Sequence, residues 1–183
     1  ASTWNGREVV LAQPTLPRGH LTADAMCNDD ESAIGLFAFG RAFRIPLRRD
    51  RWGSTGRDIA VLELVALALL VTVCAVLLPN SMEQLVVSCM TDNSTVLHRV
   101  RKGFARSKSR NRPRANAILR FIWHVTAIVR LSFELSWIPS AENVLSDAPS
   151  RGDASRYAES VAVYNSDTFS NRAPPAWWPK GVQ

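Results

Sequence analysis

The sequence predicts an α/β fold in which a mixed five-stranded sheet is flanked by helices. Three observations predict it. Three strand-like runs follow one another between residues 20 and 47 with only short turns between them. Two further strand-like runs, at 84–90 and 131–138, alternate with helical stretches. A long apolar helix separates the two groups. Strands joined by tight turns pair as an antiparallel meander, whereas strands joined through helices pair in parallel, so the order of elements implies a meander followed by parallel strands.

Taken in order, residues 1–18 hold two prolines and no sustained periodicity, which predicts an extended arm. His20 to Met26 reads as the first strand, Asn28-Asp29-Asp30-Glu31 as a polar turn, Ser32 to Phe39 as the second strand and Arg41 to Leu47 as the third. A loop rich in Gly, Ser and Arg leads to Ile59–Leu78, which is apolar almost throughout and about as long as the roughly 20 residues a membrane span requires. Glu63 argues against a span. A carboxylate there would cost on the order of 2.5–3.5 kcal/mol, and a lone span offers it no partner. The sequence instead favours a buried helix, N-capped by Asp58 and ended before Pro79. Gln84 to Met90 is a β-branched run ending in Thr91-Asp92-Asn93. Helices are expected at about Ser94 to Lys102 and Arg114 to Arg130, and Leu131 to Ile138 supplies the last strand, closed by Pro139. One domain over 19–151 results, with a tail over 152–183.

Composition agrees with a single core: 183 residues with 46% hydrophobic side chains suffice for one domain and hardly for two. Twenty-two Lys and Arg against sixteen Asp and Glu favour a polyanionic partner such as nucleic acid or a ribonucleoprotein surface. Cys27, Cys74 and Cys89 are odd in number and sit in no metal-type spacing, which predicts reduced thiols and a reducing, intracellular compartment. No signal segment opens the chain, which starts at Ala1, as a processed or polyprotein-derived chain would.

Four carboxylates fall at telling places. Asp24 lies in the first strand, Glu63 near the start of the apolar helix, Asp92 at the end of the fourth strand and Asp147 after the last. Hard divalent cations such as Mg²⁺ take oxygen ligands from a few carboxylates plus water and phosphate. Two such ions about 3.5–4 Å apart can activate a water and stabilise the leaving oxygen in phosphodiester cleavage. Spacing alone does not single these four out, since any α/β chain offers as many.

The neighbouring residues do. Trp137-Ile138-Pro139-Ser140-Ala141-Glu142-Asn143-Val144-Leu145-Ser146-Asp147-Ala148-Pro149-Ser150-Arg151 resembles the closing motif of retroelement ribonuclease H domains, in which an apolar strand ends in W-[IV]-P and is followed by N-x-x-x-D and often S-R. Thr91-Asp92-Asn93 resembles the T-D-N of that family, and Leu62-Glu63-Leu64 with its following alanines resembles the L-E-L-x-A helix. The resemblance covers roughly residues 20–151 and is greatest to the reverse-transcriptase-linked domains of tyrosine-recombinase-type retrotransposons, of which this chain would be a member or a domesticated fragment.

The resemblance implies a ribonuclease H-like fold and a site with two Mg²⁺ ions. Asp24 would be the ligand shared by both metals, Glu63 the helix ligand, Asp92 the ligand beside the attacking water and Asp147 the last, more mobile ligand. The implied substrate is the RNA strand of an RNA–DNA hybrid, read through backbone geometry and 2′-hydroxyls. Two departures stand out. Asp24-Ala25 runs into Met26-Cys27-Asn28 rather than an early Gly-aromatic-Gly-like turn, and Ser140-Ala141-Glu142 occupies the place where many relatives carry a His.

Between Asp92 and Glu134 there is no acidic residue, while Arg99, Arg101, Lys102, Arg106, Lys108, Arg110, Arg112 and Arg114 crowd one stretch. These side chains are expected to meet nucleic-acid phosphates, with Asn93 and Asn143 as further contacts beside the carboxylates. His98 and His124 read as surface or core histidines, and Phe121 and Trp123 as core. The tail Ala173-Pro174-Pro175-Ala176-Trp177-Trp178-Pro179 reads as an extended anchor, either for a protein partner through Trp177-Trp178 or for its own domain. Two function classes follow. One is a metal-dependent nuclease. The other is a non-catalytic module in a ribonucleoprotein such as an organellar ribosome, a reading that draws on the irregular first motif, the apolar helix, the basic stretch and the Trp tail. No membrane partner is expected.

Overall fold

A computed structural model describes residues 2–4, 7–9, 21–47, 59–78, 85–106 and 111–159. Within the expected arm, Ser2–Trp4 (β1) and Arg7–Val9 (β2) pair antiparallel as a separate two-stranded ribbon. Asp58, Pro79, Lys108, Arg110 and the Trp177-Trp178 tail lie outside the described residues.

The main sheet begins with Leu21–Cys27 (β3), Ser32–Ala38 (β4) and Arg41–Leu47 (β5), an antiparallel meander. Phe39 and Gly40 alone join β4 to β5, and both take positive φ, 52° and 75°. Positive φ at both central residues is the turn whose twist suits a two-residue hairpin. Glycine takes this conformation without strain, whereas Phe39 is held in it by a fully buried ring.

Ile59–Leu77 (α1) then crosses to Leu85–Thr91 (β6), which lies parallel to β3, and Leu131–Trp137 (β7) lies parallel to β6. The strand order is β5-β4-β3-β6-β7. This is the mixed five-stranded sheet expected from the order of elements, a meander followed by parallel strands. Strand and helix limits agree with the sequence reading to within two residues wherever both ends are described.

Helix α1 is apolar on every side because it is buried on most of them. Leu62, Leu64, Leu67, Leu70, Val71 and Cys74 meet Leu21, Ala23 and Ala25 of β3 and Ile34, Leu36 and Ala38 of β4 in one core. By length and composition α1 could cross a membrane, but half of its most apolar window is buried inside the domain. Ser94–Lys102 (α2) and Arg112–Ile128 (α3) complete this layer, α3 lying along α1 through Ala115, Leu119, Ile122 and Thr126. That spacing turns the opposite face of α3 outward. Phe121 and Trp123, expected in the core, are therefore 47% and 45% exposed, Trp123 stacking on Phe133 of β7 at the sheet edge.

Val144–Arg151 (α4) was not expected as a helix. It is eight residues long, contains Pro149, and follows a 3₁₀ turn at Ser140–Glu142. So short a helix has little stability of its own. Here it lies across β3, β4 and β5, with Ser146 through Ser150 buried. Residues 154–159 are again helical, and Tyr157 is hydrogen-bonded to the backbone of Ala42 on β5. None of the three cysteines forms a disulfide.

Candidate active site

The parallel pairing of β3 and β6 sets the site. Thr22 is the register partner of Met90, so Asp24 and Asp92, each two residues further along, arrive at the same level. A period of two puts Thr22 and Asp24 on one face, with Leu21, Ala23 and Ala25 on the other, in the α1 core. Asp24 is 6% exposed and receives a 2.7 Å hydrogen bond from Ser150 Oγ of α4. Burial, and next the charges of Asp92 and Asp147, push its carboxyl up to about 6, against the opposing effect of Ser150.

Glu63, near the start of α1, is buried, and Asp24 and Asp92 are its charged neighbours. Burial is the main cause that pushes it up to about 8; the Asn93 side chain, which hydrogen-bonds it, works in the opposite direction. Its Oε2 has no hydrogen-bond partner. Asp92 follows β6, and its main-chain carbonyl accepts a 2.9 Å hydrogen bond from the Trp137 indole N–H. Asp147 lies in the first turn of α4, where Arg151 Nε donates to Oδ1 at 2.6 Å and an Arg156 guanidinium N–H donates to Oδ2 at 2.7 Å.

Asp24 thus lies within electrostatic reach of each of the other three expected carboxylates, and Asp92 within reach of Glu63. Among the described residues, however, no three acidic, His or Cys groups stand closely enough to hold a metal ion as they are. The two observations have one physical account: like charges in a buried site repel, and both oxygens of Asp147 are drawn instead to two guanidinium groups. The donor set still suits a hard cation, being oxygen throughout and including a buried, unpartnered Glu63 Oε2.

The expected nucleic-acid contacts divide. Arg101, Lys102, Arg106, Arg112 and Arg114 are exposed around the end of α2 and the start of α3. Arg99 is half-buried, and its guanidinium donates at 3.5 Å to the Ala60 carbonyl, bracing α2 against α1. Asn143, expected as a nucleic-acid contact, is completely buried instead, its Oδ1 accepting from Ser146 Oγ at 2.6 Å, so its side chain shapes the turn into α4. Asn93 is partly exposed, and its Oδ1 accepts from the backbone N–H groups of Thr95 and Val96 at the start of α2.

Sequence reasoning did not single out Gly35, Trp137, Ser150, Arg151 or Arg156 as site residues. Ser150 and Arg151 stood in the quoted motif, and a glycine inside a strand is a sign of close approach. Nothing in the sequence pointed to Arg156.

No protein family matches the chain, and no curated protein matches it. Among solved structures, an RNase H1 from the halophilic archaeon Halobacterium salinarum NRC-1 is similar, with a TM-score of 0.53 at 13% identity, covering 74% of this chain and 100% of that one. At this identity the likeness shows the fold, and the fold is ribonuclease H-like.

Proposed function

We propose that this chain is a metal-dependent nuclease of the ribonuclease H type, of retroelement descent, acting on the RNA strand of RNA–DNA hybrids. The observation that supports the reading is that Asp24, buried in β3, has Glu63 of α1, Asp92 after β6 and Asp147 of α4 as charged neighbours, and that burial favours the protonated forms of Asp24 and Glu63. Structural carboxylates are rarely buried without a compensating cation.

Asp24, Glu63, Asp92 and Asp147 would hold Mg²⁺, which when bound supplies charge for activating water and stabilising a leaving oxygen. The protein's own part is positional. Ser150 Oγ orients the Asp24 carboxylate, and the Trp137 indole holds the backbone of Asp92 at the end of β6. Asp92, less buried than Asp24 and Glu63, would be the ligand beside an incoming water. Arg101, Lys102, Arg106, Arg112 and Arg114 would take the phosphates of the hybrid, giving affinity with little sequence preference.

One observation favours a second reading, a non-catalytic module bound in a ribonucleoprotein: the Asp147 carboxylate is already neutralised by Arg151 and Arg156. Cleavage of a labelled RNA–DNA hybrid in Mg²⁺ or Mn²⁺, beside Asp24→Asn and Asp92→Asn, separates the two. Cutting that both substitutions abolish supports the nuclease; RNA binding without cutting, unchanged in the variants, supports the module.

A further inference from the structure

Strand β7 ends the sheet, and among the described residues its outer edge has no neighbouring strand. Two cavities of about 600 and 470 Å³ lie beside it, and Trp123 and Phe133 line both, so that together they form one groove. The two rings stack with their centroids 5.7 Å apart, yet Trp123 remains 45% exposed and offers an aromatic surface to solvent. Each cavity also has a cation in its wall. Arg101, exposed at the end of α2, lines the smaller one, and Arg130, which follows α3, lines the larger. Glu134 lines the smaller cavity as well, but a period of two puts it on the opposite face of β7 from Phe133. Arg130 is held at φ 52°, in the left-handed position that follows the C-terminus of α3. Glycine takes that position without strain and is the usual residue there, so the backbone gains nothing from an arginine; what the residue adds is its side chain at the groove.

We infer that this groove binds single-stranded nucleic acid, with an unstacked base on Trp123 and backbone phosphates on Arg101 and Arg130. Charge selects the occupant: between Asp92 and Glu134 the sequence carries ten Lys and Arg and no Asp or Glu, a field that draws polyanions. An apolar protein segment would need no cation on either side of the rings. A nucleotide needs both, a ring face for its base and a cation for its phosphate, and sequence preference is low because every base has a face to stack. The Phe133 face of β7 continues to Trp137, whose indole N–H holds the Asp92 carbonyl. A strand in the groove would therefore lead toward the end of the sheet that carries the carboxylates. The inference goes beyond the nuclease reading and does not depend on it, since the groove would take a single strand, such as the unpaired end of a hybrid, with or without a metal at the carboxylates.

The test measures, by fluorescence anisotropy in EDTA over a range of salt, how the full chain binds a labelled oligothymidylate, an abasic strand of the same length and a blunt RNA–DNA hybrid. Parent, Trp123→Ala, Trp123→Phe and Arg130→Gly are compared. Trp123→Ala should bind oligothymidylate about fivefold or more weakly with an unchanged salt slope, and Trp123→Phe should recover most of the loss. The abasic strand and the blunt hybrid offer no unstacked base, so both should bind Trp123→Ala as they bind the parent. Arg130→Gly should melt close to the parent, because glycine suits φ 52°, yet bind oligothymidylate more weakly with a salt slope lower by about 0.7. Parent-like oligothymidylate binding by Trp123→Ala or by Arg130→Gly would overturn the inference, as would a Trp123→Ala loss that is equal for the abasic strand. So would a parent that binds no oligothymidylate, the result expected if the groove holds an acidic peptide or the chain's own Trp177-Trp178 segment. Because no metal is present, any of these failures leaves the nuclease reading to hybrid cleavage in Mg²⁺ or Mn²⁺.

Discussion

Gly35 lies directly opposite Asp24 in the β3–β4 ladder, and the space left by its missing side chain is taken by the backbone of α4. A Cβ at this position would collide with the Ser146 carbonyl oxygen and stand 2.6 Å from the Ser150 nitrogen. The absence of one methyl group therefore lets α4 approach closely enough for Ser150 to reach Asp24 and for Asp147 to join the cluster.

Gly35→Ala should lift α4 from the sheet. Overpacking of this kind costs about 1–3 kcal/mol, and the loss should appear as a lower melting temperature. Hydrogen exchange should quicken in residues 144–151 while that of α1 stays protected. A variant as stable as the parent, with α4 still protected, would show that the contact is dispensable.

The two buried carboxyls set the pH dependence of the ion-free chain. Asp24 is pushed up to about 6 and Glu63 to about 8, so the fold favours their protonated forms. Their contribution to stability is fully present below the ordinary carboxyl range near pH 4 and is lost as pH rises through 6 and then 8. Glu63→Gln removes the Glu63 part of that loss. It should stabilise the ion-free protein by on the order of 3 kcal/mol at pH 8 and by almost nothing at pH 4. Thermal melts from pH 4 to 8 measure this directly, and a pH-independent effect would contradict the assignment. In the parent chain, divalent-cation affinity should climb over the same window because binding must displace protons.

Arg156 competes with any cation for Asp147. Arg156→Ala should tighten Mn²⁺ binding severalfold, while costing less than about 1 kcal/mol because the guanidinium is 41% exposed and the pair is screened. Calorimetric titration of the variant beside the parent checks the direction; weaker binding would mean that Arg156 supports the site instead.

The exposed cations at the end of α2 and the start of α3 should act on affinity through phosphate. Replacing Arg101, Lys102, Arg112 and Arg114 with Gln should weaken hybrid binding and lower the salt dependence of log Kd by about one per lost phosphate contact. The loss should be the same for hybrids of unrelated sequence. An unchanged salt slope would place the nucleic-acid surface elsewhere.

Much of the architecture was legible in local patterns. The strands β3 to β5 followed from strand-like runs set off by polar turn residues, and the extent of α2 was read as Ser94 to Lys102, where the structure has it. The four carboxylates followed from short motifs in the right order. Helix α4 was not legible, because a short segment holding Pro149 is helical here through docking on the sheet rather than through propensity. The outward turn of Phe121 and Trp123 was hidden for a related reason: α3 carries apolar residues on two faces, and only its seat on α1 decides which is buried.

Local patterns in the chain specify which stretches are strand-like, which are helical and which carry charge, and so the order of elements and the four candidate carboxylates. How those groups are used depends on the packing of distant elements against one another. Asn93 and Asn143 are polar side chains in acidic-site motifs, yet the side-chain oxygen of each is taken up within the protein, one capping α2 and one accepting from Ser146 at the turn into α4. Arg156, outside every motif, holds Asp147. Hydrogen bonds between residues far apart in the chain depend on the relative placement of whole elements, and that placement is set by the packing of α1 and α4 against the sheet, which no local pattern encodes.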